Sequence, residues 1–145
     1  MSTQELYIRR RMSAEQAVRQ VRDGDFIIVP TGVGEPPTLL TALSERRRDL
    51  HDVKVAQILA MRKYDYIDPA TVDHIRHVAF FFGGATRAGG QAGWIDFIPN
   101  YFSEIPSQIE RGQIPADVVF AMASPMDAHG YFSISLGADY TMAQT

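Results

Sequence analysis

The sequence predicts an α/β fold: an open, mostly parallel sheet with helices on both faces. Three observations carry this reading. Short, apolar-rich runs recur at 26–29 (FIIV), 53–59 (VKVAQIL), 77–82 (HVAFFF) and 116–123 (ADVVFAMA), the first of them continuously apolar. Segments of helical period lie between them. Gly- and Pro-rich stretches follow the runs. An apolar run without alternation, bounded by turn residues, fits a strand covered on both faces. Strands that alternate with helices imply parallel pairing through right-handed crossovers.

The elements follow in order. Residues 13–25 (SAEQAVRQVRDGD) read as a helix. Ser13 and Gln16 have capping-box spacing. Ala14, Ala17, Val18 and Val21 share one face, and Gly24 is the stop. After the strand at 26–29, Pro36 or Pro37 opens a second helix, because proline suits a first helical turn. Leu39, Leu40 and Leu43 form its inner face. The strand at 53–59 leads to a short helical turn at 68–75 (DPATVDHI) and the strand at 77–82. Residues 100–112 (NYFSEIPSQIERG) turn helical at their end, with Ile109 inward and Gly112 as the stop. The strand at 116–123 is the fourth, and LGADYTMAQT begins a further helix. No internal repeat, linker or low-complexity tract interrupts the series.

The 145 residues suit a single domain spanning 1–145. Apolar residues make up 46% and charged residues 21%, ordinary values for a soluble domain. No apolar run approaches the roughly 20 residues of a membrane helix. The N-terminal stretch lacks the apolar core of a secretory signal. There is no cysteine, which excludes disulfides, thiolate metal sites and a cysteine nucleophile. The net charge is −3, so neither a nucleic acid nor a membrane is expected as partner. A cytoplasmic location is expected. The basic runs Arg9-Arg10-Arg11 and Arg46-Arg47-Arg48 read as solvated helix faces or ends, or as phosphate contacts.

Ligands of open α/β sheets bind beyond the carboxyl ends of the strands, so three loops matter. The first, TGVGEPP, is not a Walker A loop, since no lysine is near. It also lacks the third glycine of the dinucleotide fingerprint, where Pro37 stands. Gly32 and Gly34 let the backbone approach a ligand and offer amides to negative charge. Glu35 is a helix cap, a ligand contact, or a nucleophile or base. The second loop, GGATRAGGQAGWIDFIP, is a flexible tip or an ordered cover in which Arg87 grips a carboxylate or phosphate. Trp94 and Phe97 read as packing residues. In the third, ASPMDAHGYFSISLGADYT, Asp127 and His129 form either a base with its orienter or a turn network closed by Gly130. His74 and His77 lie three apart but enter a strand, which makes a poor metal site. Ser124, Ser133 and Ser135 lack the context of a nucleophile elbow.

Taken together, TGVGEPPTLLTAL, WIDFIPNYFSEIPSQI and SPMDAHGYFSISLGADYT resemble the N-terminal half of the acetyl-CoA hydrolase/transferase family, which includes acetate and 4-hydroxybutyrate CoA-transferases. The likeness runs from Ser13 onward, with the motifs in the family's order. It implies a protein of two α/β halves that transfers CoA by a ping-pong route. A glutamate attacks the acyl-CoA thioester, CoA then forms a glutamyl-CoA thioester, and an acceptor carboxylate collects the CoA. The same resemblance puts that glutamate and its glycine-rich oxyanion loop in the second half, outside this chain. It therefore implies a chain that is inactive until joined by that half or by a partner subunit, and that associates with copies of itself. By resemblance, Gly32, Val33, Gly34, Glu35 and Pro36 border the acyl or carboxylate pocket. Asp127, His129 and Gly130 shape a turn near the domain junction. No permanently bound cofactor is expected; coenzyme A and acyl-CoA enter as substrates beside a small carboxylic acid. A non-catalytic acyl-CoA or carboxylate binding domain is the alternative.

Overall fold

In the computed structural model the described residues are 2–134 and 136–144; Ser135 and the expected helical end at Thr145 lie outside them. Five strands form one sheet: β1 (Phe26–Ile28), β2 (Val53–Gln57), β3 (Ile75–Ala79), β4 (Asp96–Phe97) and β5 (Val118–Val119). Their order is β4-β3-β2-β1-β5, and every neighbouring pair is parallel. The helices are α1 (Thr3–Arg10), α2 (Ala14–Val18), α3 (Pro37–Glu45), α4 (Arg87–Gln91) and α5 (Ile105–Glu110).

β1 shows why the runs read as doubly covered. Its successive side chains point to opposite faces, and both faces are filled. Ile27 and Val29 join Val18, Leu40 and Leu43 in a core under α2 and α3. Phe26 and Ile28 join Ile105, Ile109 and Tyr140 in a second core under α5. Each such side chain, taken fully from water, favours folding by about 1.5–3 kcal/mol. The expected caps and stops are present. Ser13 and Gln16 form a reciprocal capping box, and Gly24 and Gly112 adopt φ of +81° and +69°.

Several boundaries differ from expectation, each for a tertiary reason. α2 ends at Val18 because the Arg46 guanidinium takes up the carbonyls of Val18 (2.5 Å) and Val21 (2.9 Å). Arg46 is thus a helix-end contact that also caps α2 from outside. β3 starts at Ile75, two residues earlier than the apolar run, because its register on β2 pairs Ile75 with Val53. The run at 116–123 pairs only at Val118 and Val119, since it lies at the edge beyond β1. The second loop holds two elements not foreseen, α4 and β4, the latter a two-residue strand on β3. α1 was also unforeseen, although Ser2 and Glu5 carry the same capping-box spacing as Ser13 and Gln16.

Candidate functional site at the carboxyl edge

β1 lies between β2 and β5, where the chain reverses its direction of winding. Such a switch point opens a crevice at the carboxyl ends of the strands. Here the crevice is closed by two loops laced together. Gly32–Gly34 make a single 3₁₀ turn, with Gly32 at φ +51°. Gly34 meets Gly137 of the third loop so closely that a Cβ on either would lie 2.9 Å from the other's Cα. The Thr31 amide donates to Asp139 Oδ2 at 2.6 Å. The Tyr140 hydroxyl donates to the Val29 carbonyl and accepts from the Ile58 amide at 3.2 Å. Burial pushes that hydroxyl's pKa well up.

Glu35 lies behind the turn and is 6% exposed. It does not cap α3, whose N-cap is Pro36 and carries no side-chain cap. Its Oε1 accepts from the Tyr64 hydroxyl at 2.5 Å. Its Oε2 accepts from Gln57 Nε2 at 2.9 Å and from the Met61 amide at 3.1 Å. Gln57 Nε2 also donates to the Pro30 carbonyl at 2.9 Å. The carboxylate thus ties the loop after β1 to the loop after β2. Burial, reinforced by the bond to Glu35, pushes the Tyr64 hydroxyl up to about 12. Of residues 32–36, Val33 is exposed inside the turn; Gly32, Gly34, Glu35 and Pro36 are buried. Val33 and Met61, 60% and 59% exposed, are the apolar side chains that this rim presents.

Behind Glu35 the rings of Tyr64, Tyr66 and His77 form a stack, with centroids 5.9 Å and 6.2 Å apart. His77 is 2% exposed, and burial holds its imidazole down at about 4 instead of the usual 6.5. The sign of the linkage follows. Below the unfolded value, the unfolded chain takes up a proton that the folded chain refuses until about pH 4. Stability should fall as pH drops through this window, by about 3 kcal/mol in all. Urea unfolding of the wild type and of His77→Phe at a series of pH values checks this. The difference between their stabilities should move in the wild type's disfavour as pH falls; a difference independent of pH would refute it.

The other two loops divide the remaining candidates. Asp127 Oδ1 accepts the amides of His129 (2.8 Å) and Tyr131 (2.9 Å), so its carboxylate holds a turn rather than an imidazole. Asp127 and His129 are exposed. The turn leans on α1 through Gly130 against Thr3 and through Tyr7 against Phe132 (5.6 Å). Arg87 opens α4, is exposed, and donates to the Phe82 carbonyl at 3.4 Å. Gly83 is anchored to Thr86 Oγ1 through its amide at 3.1 Å, which makes the second loop ordered. His74 Nδ1 pairs with the Leu50 carbonyl at 2.7 Å, and among the described residues no three His, Asp or Glu side chains could hold a metal.

The site therefore gathers Gly32–Pro36 with residues that were not singled out from sequence: Gln57, Tyr64, Gly137, Asp139 and Tyr140. Gln57 carried a signal, as a polar residue at the end of an apolar strand. Tyr64 carried none.

Fold and site define a doubly wound α/β domain whose carboxyl edge is built from laced glycine loops. The chain belongs to the acetyl-CoA hydrolase/transferase family, whose N-terminal domain model matches residues 1–144. It is 39% identical over 136 residues to the succinyl-CoA:cyclohexane-1-carboxylate CoA transferase of Geobacter metallireducens, covering 94% of this chain and 31% of that protein. It is 32% identical over 141 residues to the 4-hydroxybutyrate coenzyme A transferase of Clostridium kluyveri, covering 97% and 33%. The crystal structure of RipA from Yersinia pestis superposes with a TM-score of 0.85 at 27% identity, covering 99% of this chain and 36% of that one. This chain spans about a third of the length of the curated relatives it matches. Among the described residues, no helix is long and apolar enough to cross a membrane.

Proposed function

We propose that this chain is the N-terminal domain of a CoA-transferase that moves CoA between an acyl-CoA thioester and a small carboxylic acid, with the nucleophilic glutamate outside these 145 residues. The observation that carries the second clause is the bonding of Glu35. A nucleophilic carboxylate needs a free oxygen facing the thioester. Both oxygens of Glu35 are engaged by three donors, and the side chain is buried. Glu35 instead fixes the rim on which Val33 and Met61 meet the acyl group.

The steps balance as follows. A glutamate of the second half attacks the thioester carbonyl, giving a mixed anhydride and CoA thiolate. The thiolate attacks the glutamyl carbonyl, releasing the first acid and leaving a glutamyl-CoA thioester. The acceptor carboxylate displaces CoA as a second mixed anhydride, and CoA attacks its acyl carbon, restoring the glutamate. The exposed Val33, Met61 and Leu136 are the surface proposed to meet the second half or a second copy of this chain.

The test mixes this chain, joined to its second half, with acetyl-CoA and follows intact mass after proteolysis. A CoA adduct on the second half is the expected result, together with exchange of labelled acetate into acetyl-CoA. An adduct on the peptide containing Glu35 would overturn the assignment. Saturable acyl-CoA binding without exchange would favour the non-catalytic binding domain.

A further inference from the structure

At the β4 edge of the sheet a cavity of about 440 Å³ is lined by Phe81, Phe82, Arg87, Gly90, Gln91 and Phe97. It lies outside the laced glycine loops. Its volume is that of an ordinary small-molecule pocket. Two of its walls are fixed. Phe82 and Phe97 stack at 4.8 Å with planes 26° apart. Gly90 gives Phe82 its room, since a Cβ there would lie 2.4 Å from the ring. Phe81 and Phe97 remain 55% and 47% exposed, which leaves aromatic surface in water at the cavity mouth.

Arg87 supplies the only charge among these lining residues. Among the described residues it has no carboxylate within ion-pair distance; Asp96, the chain neighbour of Phe97, is paired with Arg76 at 2.9 Å. Its bond to the Phe82 carbonyl is long, at 3.4 Å. A guanidinium fork without an anion, beside three aromatic rings, matches a ligand with one carboxylate on an apolar body. The nucleotide end of CoA fits less well, because its several phosphates would face a single cation.

We propose that this cavity binds the free form of a carboxylic acid carrying an apolar ring. Arg87 pairs with the carboxylate, and Phe81, Phe82 and Phe97 cover the ring. The proposal rests on the reading above that the protein handles carboxylic acids, and it places such an acid at a second site apart from the rim of Val33 and Met61.

The test titrates the chain with cyclohexanecarboxylate, with acetate and with CoA, following backbone amides by two-dimensional NMR. Cyclohexanecarboxylate should shift Gly90, Gln91 and Phe97 saturably, and acetate should bind at least about tenfold more weakly. Arg87→Gln, a change at an exposed side chain, should weaken cyclohexanecarboxylate about tenfold. Arg87→Lys should restore part of that loss. The proposal is overturned if cyclohexanecarboxylate leaves these amides unmoved, if it binds no better than acetate, if Arg87→Gln binds equally well, or if CoA alone moves them. CoA exchange by the joined protein is scored separately. Ring-acid binding without exchange would count against the transferase reading and leave this site standing; exchange without ring-acid binding would do the reverse.

Discussion

Glu35→Leu should destabilise the folded chain by about 3–5 kcal/mol, the upper end for a single change that orphans several buried donors. The substitution leaves the Gln57 amide, the Met61 amide and the Tyr64 hydroxyl without their acceptor. Each orphaned donor in a buried setting costs about 1–3 kcal/mol, and relaxation recovers part of the sum. Glu35→Gln should cost less but remain destabilising, because its amide nitrogen brings a donor to a place where donors already converge. Urea unfolding followed by circular dichroism reads both changes. If Glu35 were simply a substrate contact at the pocket wall, both variants would unfold like the wild type, within about 0.5 kcal/mol. That outcome would remove the role given to Glu35 here.

Gly34→Ala is the second large effect, expected at about 2–4 kcal/mol from overpacking. The added methyl would lie 2.9 Å from the Gly137 Cα and 2.9 Å from the Pro30 Cβ. Neither neighbour is the loose end of a long side chain, so the two loops must part. Their separation strains the bonds that lace them, from Thr31 to Asp139 and from Tyr140 to Val29. Hydrogen exchange at the Thr31 amide should therefore speed up more than exchange in the β2–β3 ladder. Gly84→Ala is the control, since nothing lies within 4 Å of its added Cβ. Equal stability of the Gly34 and Gly84 variants would show that the close approach does not hold the site together.

The sequence by itself determined the class of fold, and the reason is local. FIIV carries its burial on consecutive residues, Ser13 and Gln16 carry a cap within one turn, and Gly24 and Gly112 mark their own stops. Each of these signals is complete within a few residues, so the chain displays it without its neighbours. The ordered loop motifs also disclosed the family.

Tertiary structure decided the rest. β4 is too short to announce itself and exists because β3 offers a free edge. α2 stops at Val18 because Arg46, far along the chain, takes its carbonyls. Glu35 stayed open between helix cap, ligand contact and nucleophile because nothing in TGVGEPP names Gln57, Met61 or Tyr64 as its partners. Asp127 and His129 read either as a base with its orienter or as a turn network, and only the fold shows the Asp127 carboxylate on backbone amides. A buried carboxylate is defined by the donors that converge on it. Those donors are brought from 22 to 29 residues away by the β1–α3–β2 crossover, a distance over which no local pattern in the sequence reaches.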